Sequence, residues 1–250
     1  MNQSEYLKII KLAKTAISEY KNWGEEEIVT DKIMQIKKSE QKNIKYEKNI
    51  KQTKNAQQLL DELKNKVVNC NKCELGKTRL NAVFGSGSAY ADIMFVGEGP
   101  GFQEDHEGEP FIGKAGNLLT KIIEAMKYTR QTVYIANIVK CHPMKNPSNP
   151  ELRSNDRPPT MQEMEVCQHY LDEQIRIIKP KVIVTLGASS TRALLKSDDV
   201  ISSLRGKFHE YNGIKLMPTY HPAALLRNPN LKKDVWLDMQ KVMAFVSKKG

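Results

Sequence analysis

The 250-residue sequence has no apolar run approaching the roughly 20 residues that a membrane-spanning helix needs, and it has only four cysteines. The first absence sets aside helical membrane proteins. A secretory leader is not expected either, because the apolar stretch from Leu7 to Leu12 is short and broken by Lys8 and Lys11. Four cysteines are too few to staple a secreted scaffold of this length. The chain lacks the lysine of a phosphate-binding loop and the glycine spacing of a dinucleotide-binding turn. It contains no internal repeat, which argues against solenoids and propellers. Acidic residues are also in deficit: 39 Lys and Arg stand against 29 Asp and Glu, a formal charge of +10. That excess favours a polyanionic partner, since each phosphate neutralised by Lys or Arg releases condensed counterions.

What is present suits a globular protein with one substantial core and an appended segment. Residues 1–54 read as a Lys-rich helical N-terminal extension. Within it Tyr6, Ile9, Ile10, Ala13, Ile17 and Tyr20 recur at helical spacing and predict a helix over Ser4–Tyr20. Residues 1–66 hold 14 Lys, no Arg and 10 acidic residues. That is less than half of the charge excess, so the basic character is not a tail effect. Residues 55–250 read as the main domain. Ala56, Leu59, Leu60, Leu63 and Val67 form a helical stripe ending at Cys70. Buried strands are predicted at Ile93–Val96, Val133–Ala136 and Val182–Leu186, with a fourth beginning at Lys215. Helical periodicity covers Ala115–Met126 and Met161–Ile178, and the Pro- and Asn-rich stretch Asn146–Pro159 reads as a long loop. Alternating strands and helices predict an α/β three-layer sandwich around a central, mostly parallel four-stranded sheet. Gly97, Asn137, Gly187 and Thr219 then fall at the carboxyl ends of their strands, the edge where such sheets bind ligands.

Two loops at this edge are candidates for the chemistry. Gly97-Glu98-Gly99-Pro100-Gly101 follows the first of these strands directly, and its glycines let backbone N–H groups approach a planar ligand closely. His221-Pro222-Ala223-Ala224-Leu225-Leu226-Arg227 follows the last. Cys70 and Cys73 form a C-x2-C pair, with Cys141 and Cys167 at long range. Four thiols brought together by the fold suit zinc or an iron–sulfur cluster.

The string from Gly97 to Asp105, followed by Gly108-x-Pro110-Phe111-x-Gly113-x-Ala115-Gly116, resembles the first motif of family 4 uracil-DNA glycosylases. The stretch His221–Pro229 resembles their second motif. The order of the four cysteines and the string Asn137-Ile138-Val139-Lys140-Cys141 are similar to the same family. The resemblance covers about residues 57 to 245. It implies an enzyme that flips uracil out of DNA and hydrolyses its N-glycosidic bond, for base excision repair. Glu98, Gly99, Phe111, Asn137 and His221 would bind the base. Phe111 would stack on the ring, Asn137 would match O4 and N3–H, and Glu98 would lie near the edge where thymine carries its methyl. His221 and Glu104 would be catalytic, the one stabilising the leaving anion at O2 and the other positioning water. Leu225, Leu226 and Arg227 would contact DNA, the leucines as a wedge in the base stack and the arginine on a phosphate. Cys70, Cys73, Cys141 and Cys167 would hold a structural [4Fe–4S] cluster. The partner is uracil-containing DNA, single- or double-stranded, met by a monomer in the cytoplasm at the nucleoid.

The chain departs from the family pattern after the third cysteine. His142-Pro143-Met144 stands where Arg-Pro-Pro is usual, and a longer insertion follows. A variant subgroup crosslinks covalently to uracil-containing DNA through a histidine in a Lys-Arg-Arg-Ile-His loop. No such string occurs, and His142 is the only nearby histidine. That absence counts against trapping; the alternative to a glycosylase is a non-catalytic or covalently trapping uracil-DNA binding protein.

Overall fold

The computed structural model describes residues 54–248. The predicted helix over Ser4–Tyr20 and, Lys54 apart, the Lys-rich extension lie outside them. In chain order the elements are α1 (Ala56–Val68), α2 (Glu74–Thr78), β1 (Ser86–Gly87), β2 (Ile93–Gly97), α3 (Phe102–Glu107), α4 (Lys114–Ala125) and β3 (Tyr134–Asn137). Then follow α5 (Met161–Ile178), β4 (Val182–Leu186), α6 (Ala188–Leu195), α7 (Ile201–Leu204), β5 (His209–Tyr211), β6 (Ile214–Thr219), α8 (Pro222–Arg227) and α9 (Leu231–Ser247). Among the described residues no helix is long and apolar enough to cross a membrane.

The strands form one six-stranded mixed sheet in the order β1-β3-β2-β4-β6-β5. The four central strands are mutually parallel, and the two edge strands run antiparallel to their neighbours. The sheet is thus wider than the four strands expected from sequence. The two additions are two and three residues long, too short and too polar to show a period.

Side chains of β2 alternate between two cores, one on each face of the sheet. Ile93 and Phe95 pack with Leu119 and Ile123 of α4 and Val235, Met239 and Val242 of α9. Met94 and Val96 pack with Leu60, Leu63 and Val67 of α1 and Leu171 and Ile175 of α5. A strand buried on both faces reads as a continuous apolar run, which is why its period was silent but its position legible. The helices that cover it start where their caps dictate. Asn55 and Gln58 bond reciprocally across the first turn of α1 at 2.9 and 3.0 Å, and Thr160 and Glu163 do the same for α5, freeing neither end to fray.

From β2 the chain goes to β3 on one side and then to β4 on the other. Sheets of this kind leave a crevice beyond the carboxyl ends where the order reverses. Gly97 and Asn137 are Cα partners in the β2–β3 register, so the first loop and Asn137 emerge side by side.

Candidate active site

A cavity of about 820 Å³ opens at that edge. Glu98, Gly99, Glu104, Phe111, Asn137 and His221 all line it, drawn from the segments after β2, β3 and β6. Leu225, Leu226, Arg227 and the four cysteines do not.

Gly97 makes the junction possible. A Cβ at this position would overlap both the Asn137 side-chain oxygen and the Phe111 ring. Phe111 itself sits at φ 54°, a left-handed conformation that costs a bulky side chain free energy. The surroundings impose it. Arg130 donates to the carbonyls of Pro110 and Phe111 at 2.6 and 3.0 Å, and Gly116 lets the α4 backbone press against the Phe111 carbonyl, where any Cβ would collide. The ring ends 5.7 Å from the His221 ring, centroid to centroid.

Asn137 is buried, and its Oδ1 has no hydrogen-bond partner among the described residues. Buried polar atoms are almost always paired, so an orphan acceptor beside a cavity marks a place for a donor from outside.

His221 is the N-cap of α8, and its Nδ1 accepts the Ala223 backbone N–H at 3.1 Å. That bond places the ring proton on Nε2. Burial lowers the imidazole pKa to about 4, with Arg227 adding to the shift and Glu104 opposing it. At neutral pH His221 is therefore an uncharged donor.

Glu104 binds three backbone amides: Oε1 accepts from Ile112 and Gly113 at 3.1 Å each, and Oε2 from Gly101 at 3.2 Å. It ties the two halves of the first motif together and leaves Oε2 one acceptor position. Burial raises the Glu98 carboxyl pKa, and a hydrogen bond with Ser189 pulls the other way.

Helix α8 divides the three residues of the suggested wedge. Leu225 is buried in the core with Leu119 and Val235 and has no surface to offer DNA. Leu226 is 49% exposed, and Arg227 is exposed beside it. His142 does not line the cavity. It is buried with Nε2 2.7 Å from Asp156 and Nδ1 3.5 Å from Asp105.

The four cysteines gather between α1, β3 and α5. Cys141 lies within the electrostatic reach of Cys73 and Cys167, and Cys167 within that of Cys70 and Cys73. Among the described residues no three His, Cys, Asp or Glu side chains close on one point as ligands of a single ion. Burial pushes the Cys141 thiol up to about 12, although Arg79 donates to its sulfur at 2.9 Å. Lys140 supplies the test of fit. It is fully buried, and its ammonium donates to the Asn137 carbonyl at 2.8 Å and to Gln174 Oε1 at 2.6 Å. Burial lowers its pKa to about 8, and the groups opposing that fall are Cys167 and Cys141. No carboxylate pairs with it among the described residues. A buried cation needs a countercharge, and metal-bound thiolates would provide one, so the residues present fit an anionic cluster.

Sequence reasoning missed part of the wall. Pro143, Arg153, Asp156, Arg157, Pro158 and Pro159 also line the cavity. Pro143 precedes the long loop Asn146–Pro159 and the other five belong to it, where only a Pro- and Asn-rich insertion was legible.

Fold and site together define an α/β protein with a cavity of mixed polar and apolar lining at the carboxyl edge of a parallel-centred sheet. The model of the uracil DNA glycosylase superfamily matches residues 84–240. The chain is 44% identical over 192 residues to the type-4 uracil-DNA glycosylase of Sulfurisphaera tokodaii, covering 73% of this chain and 83% of that protein. It is 44% identical over 199 residues to the type-4 enzyme of Saccharolobus solfataricus, covering 76% and 88%. It is 39% identical over 198 residues to that of Thermotoga maritima, covering 78% and 98%. The chain belongs to the uracil-DNA glycosylase superfamily and, within it, to the type-4 family.

Proposed function

We propose that this protein removes uracil from DNA by hydrolysing its N-glycosidic bond, leaving an abasic site for base excision repair. The observation that carries the reading is the orphan Oδ1 of Asn137 in the cavity shared with Phe111 and His221. An unpaired buried acceptor costs about 1–3 kcal/mol, a penalty relieved when a ring N–H reaches it. Uracil offers N3–H beside the O4 acceptor, and one side-chain amide answers both. Cytosine presents an acceptor at N3 and a donor at N4, which leaves the same amide mismatched.

The base enters the cavity from a flipped nucleotide and stacks on Phe111. Gly99 lets the backbone approach its edge, and Glu98 occupies the position where a thymine methyl would intrude. The bond between C1′ and N1 breaks with its electron pair leaving on uracil, so negative charge grows on O2. The Nε2–H of neutral His221 donates there; a donor already in place needs no reorganisation as the charge develops. A water held by the free acceptor position of Glu104 Oε2 adds to C1′, and its proton passes through that carboxylate to the departed uracil anion. Leu226 fills the gap in the base stack, and Arg227 meets a phosphate.

The cysteines Cys70, Cys73, Cys141 and Cys167 would hold a [4Fe–4S] cluster. Its contribution is structural, since glycosidic hydrolysis moves no electrons to an acceptor. Residues 55–250 form the catalytic domain, preceded by the extension over 1–54. Incubating the protein with a single-uracil oligonucleotide and then treating it with alkali tests the reading. Strand breaks at the uracil are expected, and few with His221→Asn; no breaks with the unmodified protein would overturn it.

A further inference from the structure

We propose that Arg153, with the cavity beyond it, forms a subsite for the nucleotide flanking the flipped one, gripping its phosphate. The inference rests on the uracil-excision reading. A second cavity of about 470 Å³ adjoins the first, and Phe102, Gln103, Ile112 and Arg153 line both. Arg153 therefore stands on the ridge between them.

Its position is prepared. The guanidinium carbon lies 5.8 Å over the Phe102 ring, and the His106 ring lies 4.1 Å from Phe102, centroid to centroid. A guanidinium held over a ring keeps its N–H edge free for a phosphate. The loop that carries it is pinned at its base. The buried Asn155 side chain accepts from the Asn146 N–H and donates to the carbonyls of Asn146 and Asn149. Arg157 donates to the Met144 carbonyl and forms a bidentate pair with Glu163. An arginine ordered before binding loses less side-chain entropy on contact. Among the described residues no carboxylate pairs with Arg153, so its charge is uncommitted.

The second cavity has the opposite character. Glu107 and Glu109 line it, and Glu151 pairs with His106 at 3.3 Å. Carboxylates repel a phosphate but accept from the exocyclic amines of cytosine and adenine. The backbone therefore crosses at Arg153 and the flanking base turns into the cavity beyond.

Salt dependence of binding to an oligonucleotide with a tetrahydrofuran abasic site, which cannot be cleaved, tests this. One phosphate contact contributes about 0.9 to the slope of log affinity against log salt. Arg153→Ala should lose that much, so the wild-type advantage shrinks about 3.5-fold between roughly 50 and 200 mM salt. Arg153→Lys should keep the slope. Lys181→Ala removes a charge paired with Asp92 ahead of β2 and β4, at the opposite edge of the sheet, and should also keep it. Neutral methylphosphonates placed one at a time along the strand should weaken wild-type binding at a flanking position that no longer matters to Arg153→Ala. An unchanged slope in Arg153→Ala, or losses spread equally over every phosphate for both proteins, would overturn the subsite. A wild-type protein that never excises uracil would instead sink the reading beneath it.

Discussion

Replacing His221 by Asn separates the leaving-group hydrogen bond from every other role of that residue. Asparagine is among the best N-caps, so its side chain still accepts the Ala223 N–H and α8 still starts at the same place. What disappears is the Nε2 donor, and removing one preorganised donor of this kind costs about 10²–10³ in kcat, or ~2.7–4 kcal/mol. The variant also carries a second, independent signature. The imidazole has a folded pKa of about 4 against an unfolded value near 6.5. Because the folded pKa is depressed, the unfolded chain binds the proton first, and stability is full above the unfolded pKa and falls as pH drops towards the folded one. Relative to His221→Asn, the wild type should lose about 2 kcal/mol by pH ~5 and about 3 kcal/mol by pH ~4. Urea unfolding of both proteins across this range cancels all shared titrations. Single-turnover excision should stay level from neutral pH down past 6.5 and decline only towards about 4. Parallel stability curves for the two proteins, or a rate that halves near 6.5, would refute a buried neutral imidazole.

Other expectations follow from the same geometry. Gly97→Ala places a Cβ against Asn137 and Phe111 and should lower kcat/KM by about 10²-fold, with circular dichroism unchanged; an active variant would mean that the pocket relaxes freely. Asn137→Ala should lose a similar factor in excision without a lower thermal midpoint, because the oxygen it removes has no partner among the described residues. A clear drop in the midpoint would show that Asn137 has a structural job. Freshly purified protein should be brown and contain iron, and Lys140→Met should retain less of it per chain, since the buried countercharge is gone. A colourless protein containing zinc would remove the iron–sulfur assignment.

Much of the scaffold was legible because parallel strands buried on both faces are short apolar runs, as at Ile93–Val96 and Val182–Leu186. The long helix α5 was legible from the helical period of Met161–Ile178, the span it occupies. The edge strands were illegible: Ser86–Gly87 and His209–Tyr211 owe their pairing to neighbours already in place, not to any pattern of their own. Leu225 and Leu226 adjoin in sequence and are equally apolar, so only the packing of α8 against α4 could send one inward and the other to the surface.

By itself the sequence determined the family, the two loops, the four cysteines and the basic charge, because these are properties of residue type and order. The tertiary structure decided what each group is free to do. It left Asn137 Oδ1 unpaired and held His221 neutral with its proton on Nε2. It committed most of Glu104 to backbone amides, and it brought the insertion's Arg153 to the rim of the pocket. Apart from the His221 bond to Ala223 and the Glu104 bond to Gly101, these pairings and burials depend on neighbours distant in the chain, and no local pattern encodes them.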